Sequence, residues 1–178
     1  MPKPYEGWQT YHPPLYYLIN HFLAPSIITD KEKHVSFVRF LSVLYGAVSI
    51  YAIGWLLLQI GIEKYPLFLS LLFIITQPKF VMLFSTYNND SLLTMFSFIV
   101  IALCYKLYFN WSKKWAIVLL LASTAALYTK YSAILFLGVI VIILCKNLII
   151  KKVKPLDIEI KILKVIFASL FIFSLYWA

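Results

Sequence analysis

The charge-free run from Phe40 to Gly61, "FLSVLYGAVSIYAIGWLLLQIG", constrains this chain more than any other feature. It is as long as the roughly 20 apolar residues needed to cross a bilayer's hydrocarbon core. Further apolar runs follow at Leu67–Phe84, Ser91–Phe109, Trp115–Ile150 and Ile162–Ala178. Across 178 residues, 62% are hydrophobic and 13% charged, with a mean hydropathy of +0.86. Soluble domains are near half apolar and a quarter charged, and one of this size could not hide so much apolar side-chain area. The solvent must be a bilayer, and the fold class is an all-α, polytopic membrane helical bundle. The net charge of +9 does not imply nucleic acid. Most lysines sit in short clusters between apolar runs, as topology-setting lysines do, and no contiguous basic face emerges. Cys104 and Cys145 both lie in apolar segments, where thiols act as small hydrophobes. The opening "MPKPYEGWQTYHPP" has no apolar core of a secretory signal, and its prolines and Gly7 oppose an early helix.

The polar breaks divide the chain. "QPK" at Gln77–Lys79 predicts a proline kink, with Lys79 reaching an interface by snorkelling. "STYNND" at Ser85–Asp90 is a cluster of turn formers, and "NWSKKW" joins lysines to interfacial tryptophans. A single helix from Trp115 to Cys145 would run roughly 46 Å, too long for a core of about 30 Å. It would also place Lys113 and Lys114 opposite Lys151, Lys152 and Lys154. Two helices meeting at Thr129–Lys130 avoid both problems. The expected organisation is one transmembrane domain over 1–178, with a juxtamembrane element at 11–30 that includes an interfacial helix. About six spans follow, near 40–61, 66–86, 91–109, 115–129, 131–150 and 161–178. The positive-inside tendency puts Lys64, Lys106, Lys113, Lys114 and the six lysines from Lys146 to Lys164 inside, ten of the sixteen basic residues. Arg39, the "YNND" turn, Lys130 and the "HPPLYY" segment then share the outer face.

Each of these features has a structural reading. Trp8, Tyr11, Tyr16 and Tyr17 suit an aromatic belt, and Pro13 and Pro14 suit a helix start. Arg39 suits an interfacial anchor, while Asn88, Asn89 and Asp90 suit a turn and N-cap for "SLLTMF". Lys130 is harder to dismiss, because a lone Lys between short apolar helices is costly unless it meets water, an anion or a protein cavity. Taken together, Asp90, the cations Arg39 and Lys130, and His12 fit a negatively charged, lipid-linked substrate. Arg and Lys clamp phosphate oxygens and stabilise a departing phosphate. A carboxylate can orient a hydroxyl or bind a divalent metal.

The order "HPPLYY", "RFLSVLYGAVSIYAIGWLL", "STYNNDSLLTMFSFIVIAL" and "ALYTKYSAILF" resembles the GT-C class of membrane glycosyltransferases. The branch it looks most like includes the dolichyl-phosphate-mannose protein mannosyltransferases and the bacterial lipid A aminoarabinose transferases. No single motif carries the likeness; the order and the spacing by apolar runs do, over about residues 6–150. The resemblance implies a multi-pass protein, expected in a bacterial or archaeal plasma membrane, that moves a sugar from a polyprenyl phosphate to an acceptor hydroxyl at the outer face. It implies Arg39, Lys130 and His12 at the donor phosphate, with Pro13, Pro14, Tyr16, Tyr17 and Asn89 in the pocket wall. Asp90 matches an acidic residue of the second outer loop, and Glu6 loosely matches an acid preceding the Pro-Pro motif. No metal is firmly assigned, although the carboxylates leave room for a divalent ion.

The family pattern also has a first span, an acidic first loop carrying the usual base, and further spans beyond residue 178. The expectation is therefore a partial chain, with phosphate-side contacts but little or no transfer activity alone. Two other readings fit the same residues. One is a non-catalytic membrane subunit that binds an anionic lipid or scaffolds a complex. The other is a transporter fragment with a broken helix at Thr129–Lys130, ranked lower because no inverted repeat is visible.

Overall fold

The computed structural model describes residues 13–23 and 31–151. Within them the chain forms seven α-helices: α1 (Leu15–Leu23), α2 (Lys31–Ile60), α3 (Lys64–Thr76), α4 (Pro78–Ser85), α5 (Asn89–Phe109), α6 (Lys113–Leu127) and α7 (Ile134–Lys151). No strand occurs among the described residues. Their outer surfaces are apolar: Phe22, Tyr51, Tyr65, Phe73 and Leu135 are all exposed, as suits helices that face lipid.

Helix α2 starts at Lys31, ahead of the apolar run at residue 40, so its first turns carry "KEKHVSFVR" outside the charge-free stretch. It is about 45 Å long at 1.5 Å per residue. Small and polar residues on one face explain how it packs. Ser42, Gly46, Ser49 and Ala52 are all buried, and small side chains let helices approach closely in a membrane. The two serines return their hydroxyls to the α2 backbone, Ser42 to Val38 O at 3.2 Å and Ser49 to Tyr45 O at 2.8 Å. At Gly46 a Cβ would lie 2.9 Å from the Phe84 ring, so glycine is what admits α4.

The proline break is real. Helix α3 ends at Thr76, Pro78 occupies the first turn of α4, and the two axes bend by 62°. Proline supplies no amide there and is welcome in a first turn. Between α2 and α3 the chain reverses through Gly61, whose φ of 93° is easy only for glycine.

The helix directions follow from cross-contacts. Ser91 meets Ser42 and Gln59 meets the Ala102 carbonyl, so α2 and α5 run parallel. Gly54 faces Leu71 while Gly46 faces Phe84, so α3 and α4 run antiparallel to α2. Helix α6 is antiparallel to α5, with Ala126 and Leu127 near Leu93 and Phe96. It stops at Leu127; a 3₁₀ turn at Tyr131–Ala133 follows and α7 begins at Ile134, packing on α5 through Ile140 and Ile143. Buried Cys104 belongs to that apolar core.

Two helices, Glu32–Ile60 and Asn89–Phe109, are long and apolar enough to cross a bilayer, and the bent pair α3–α4 adds a third when counted as one broken span. The expected six spans are not reached among the described residues. Helix α6 has 15 residues, which extend only about 22 Å against a core of about 30 Å. The run at 161–178 and part of the juxtamembrane element, 11–12 and 24–30, lie outside the described residues.

Candidate functional site

The parallel and antiparallel packing brings one end of α2, α4, α5 and α6 to the same level, and the start of α1 joins them. Helix α5 opens with a local device. Asn88 is its N-cap, and its side-chain oxygen accepts from Asp90 N at 3.0 Å, which satisfies an otherwise orphaned amide. Ser91 Oγ donates to Asn88 O at 2.7 Å. The structural reading of "NND" as turn and cap is therefore correct for Asn88. Asp90, one position inside the helix, is left with its carboxylate directed outward, where Asn88 Nδ2 donates to it at 3.3 Å.

Lys130 meets that carboxylate. Its Nζ donates to Asp90 Oδ1 at 2.5 Å, across 40 positions of sequence. The α6 end makes the meeting possible. Thr129 is fully buried and bonds back to Ala125 O at 2.9 Å, while Thr129 N and Lys130 N both donate to Ala126 O. The backbone then turns extended at Lys130, so its side chain leaves the helix instead of following it. The Lys130 and Asp90 side chains are 29% and 36% exposed. A pair this open contributes only about 0–1 kcal/mol to stability, and an anion from outside could compete for the lysine.

The Pro-Pro segment abuts this pair. Leu15 N, the first amide of α1, donates to Tyr128 O at 3.0 Å, and Leu18 N donates to Pro14 O at 2.9 Å. Pro13 and Tyr16 are buried and Pro14 and Tyr17 half-buried. Tyr16 packs edge-on to Tyr17 at 5.5 Å and against Tyr87 at 5.9 Å, which ties α1 to the turn that precedes Asp90. Burial pushes the Tyr16 hydroxyl up to about 12, with the Asn20 side chain partly offsetting it. Tyr17 is also raised, by burial and by Tyr87.

Arg39 stands differently. It is exposed on α2, one turn before Ser42, whose hydroxyl lies 3.5 Å from that of Ser91. It is thus near the level of the Asp90 turn but makes no ion pair among the described residues. Asn89 is buried, and its amide nitrogen has no hydrogen-bond partner among the described residues. Glu6 and His12 lie outside the described residues. No three His, Cys, Asp or Glu side chains converge among the described residues.

Sequence reading missed Asn20, Ser42, Tyr45 and Ser91. A weak signal existed: Ser42, Tyr45 and Ser49 recur at helical spacing inside an apolar run, and polar groups on one face of a membrane helix mark the face that meets protein.

An apolar groove of about 510 Å³ opens beside this end between α2 and α4, lined by Val43, Gly46, Ile50, Phe80, Val81 and Phe84. No curated protein and no solved structure matches the chain. A family profile does, described as dolichyl-phosphate-mannose-protein mannosyltransferase, over residues 11–177. That range takes in the Pro-Pro start of α1, the Asn88–Asp90 turn and the Thr129–Lys130 break, and the chain belongs to this family of integral membrane glycosyltransferases of the GT-C type.

Proposed function

We propose that this chain forms the phosphate side of a membrane glycosyltransferase site, which moves a sugar from a polyprenyl phosphate to an acceptor hydroxyl at the outer membrane face. The observation that carries this reading is the Asp90–Lys130 pair, half open and set against the start of α1. In the resting arrangement the carboxylate occupies Lys130. A donor phosphate, bearing more charge and more acceptor oxygens, competes for that ammonium, and Arg39 on the neighbouring turn supplies a second cation. Lys130 released to phosphate frees Asp90 to accept a hydrogen bond from the acceptor hydroxyl. The acceptor oxygen then attacks the anomeric carbon as the bond to the lipid phosphate breaks. Its proton passes to a carboxylate, and the cations stabilise the departing phosphate. Pro13, Pro14, Tyr16 and Tyr17 form the wall, and the α2–α4 groove offers an apolar bed for the first prenyl units.

The rival reading, a non-catalytic subunit that holds an anionic lipid, shares the cations but needs no carboxylate chemistry. Asp90→Asn and Lys130→Ala in the longest reading frame containing these residues separate the two. Each should lower sugar transfer from a purified polyprenyl-phosphate donor by about 10²–10³-fold, as loss of a charge-stabilising group does. Full transfer by both variants would sink the catalytic reading.

A further inference from the structure

Beneath the ion pair lies a second cluster that the proposed reaction does not use. Asn20 is 3% exposed, and among the described residues neither its amide nitrogen nor its oxygen closes a well-formed hydrogen bond, although the amide lies close to the Tyr16 hydroxyl. The hydroxyls of Tyr16 and Tyr45 are likewise buried without a well-formed hydrogen bond among the described residues. All three residues are more than nine-tenths buried. They belong together: Tyr16 and Tyr45 share one buried cluster, and the Tyr16 hydroxyl has Asn20, Ser42 and Tyr45 around it. Ser42 and Ser91, both fully buried, close the group from α2 and α5.

We propose that Asn20, Tyr16 and Tyr45 form a buried water-binding site between α1 and α2, and that this site positions Lys130. The donor set suits water. The amide supplies a donor and an acceptor, and each phenol can serve as either. A buried water makes two to four hydrogen bonds to otherwise unsatisfied groups, and this cluster presents four such atoms at the interface of a short helix with a long one. The link to Lys130 runs through the backbone. Water at this site seats α1 on α2, and seated α1 gives its first amide to Tyr128 O, two residues before Lys130. Loss of that seating frees the last turn of α6 and lets the lysine leave Asp90. The assignment concerns how Lys130 is held, and it stands whether or not Lys130 meets a phosphate.

The test uses the full chain in lipid nanodiscs, without donor. Asn20→Leu replaces both amide atoms by methyl groups at similar branching, and Tyr45→Phe removes one oxygen only. Two quantities are read: the thermal midpoint, and the rate of Lys130 acylation by an amine-reactive reagent, quantified by mass spectrometry against Lys106. A bridged site predicts a lower midpoint in both variants and about fivefold faster Lys130 acylation, the equivalent of one buried hydrogen bond, with Lys106 unchanged. Atoms that are truly orphaned predict the reverse sign, because apolar replacement then removes a desolvation cost. A midpoint that rises or holds, or Lys130 acylation that moves no more than that of Lys106, overturns the proposal. Should Asn20→Leu fail to fold, Tyr45→Phe decides alone.

Discussion

Two lysines mark the two ends of this bundle, and they are accommodated in different ways. Lys106, near the end of α5, lies over two adjacent indole rings, 5.1 Å from the Trp55 ring and 4.5 Å from that of Trp115. The rings themselves stand 5.5 Å apart. No carboxylate pairs with it among the described residues. The aromatic quadrupoles hold the charge, and the arrangement also pins α2, α5 and α6 together at that level. Lys130, at the other end, has a carboxylate and a broken helix instead. A pair of aromatic faces attracts any cation and offers an anion nothing to displace. An ion pair is different, since a competing anion can take the lysine and leave a free carboxylate. The Lys106 end is therefore an anchor, and the Lys130 end is where exchange chemistry is available.

The contrast can be broken most sharply by topology. Single cysteines at Ser132 and Ser112 flank α6 from opposite ends, and impermeant labelling should reach them from opposite sides of the membrane. Labelling of both from one side would remove the two-ended description altogether. The next largest effect is at Tyr16. Its raised pKa means that the folded chain prefers the neutral phenol, so its contribution is complete below the ordinary value of 10 and is lost as pH rises towards about 12. That contribution is roughly 2–3 kcal/mol. Melting midpoints of the parent and Tyr16→Phe should converge over this window, and parallel curves would show that α1 is not docked through Tyr16. Asn88→Ala should cost about 1 kcal/mol, the usual loss of a helix cap, and should speed Lys130 acylation because Asp90 loses its local bonds. The smallest effect belongs to the anchor. Lys106→Met should cost about 0.5–1 kcal/mol and leave Lys130 acylation unchanged.

Much of this architecture was legible in the residues. The density of apolar side chains required a bilayer, Pro78 required a break in its helix, and Thr129–Lys130 was the place where a run too long for the membrane had to be interrupted. Asn88 read correctly as a cap, since a short side chain that bonds the backbone two residues on declares itself locally. Arg39 lies one turn before Ser42 on α2, and its lack of an ion pair among the described residues could not be read in advance. Asn20 and Tyr45 were passed over entirely. A single polar residue in an apolar helix says only that it avoids lipid, and the partner it faces depends on a helix far away in the chain.

The sequence by itself determined that this is a helical membrane protein and where its helices break. These follow from local sterics and from transfer free energy, which each residue carries with it. Tertiary structure alone decided that Asp90 and Lys130 form a pair, that Leu15 closes the end of α6, and that three polar side chains meet beneath them. Those contacts depend on the relative direction and depth of separate helices. In a bilayer, shape and small residues on the helix faces set these more than hydrophobicity does, because lipid tails are as apolar as the side chains they touch.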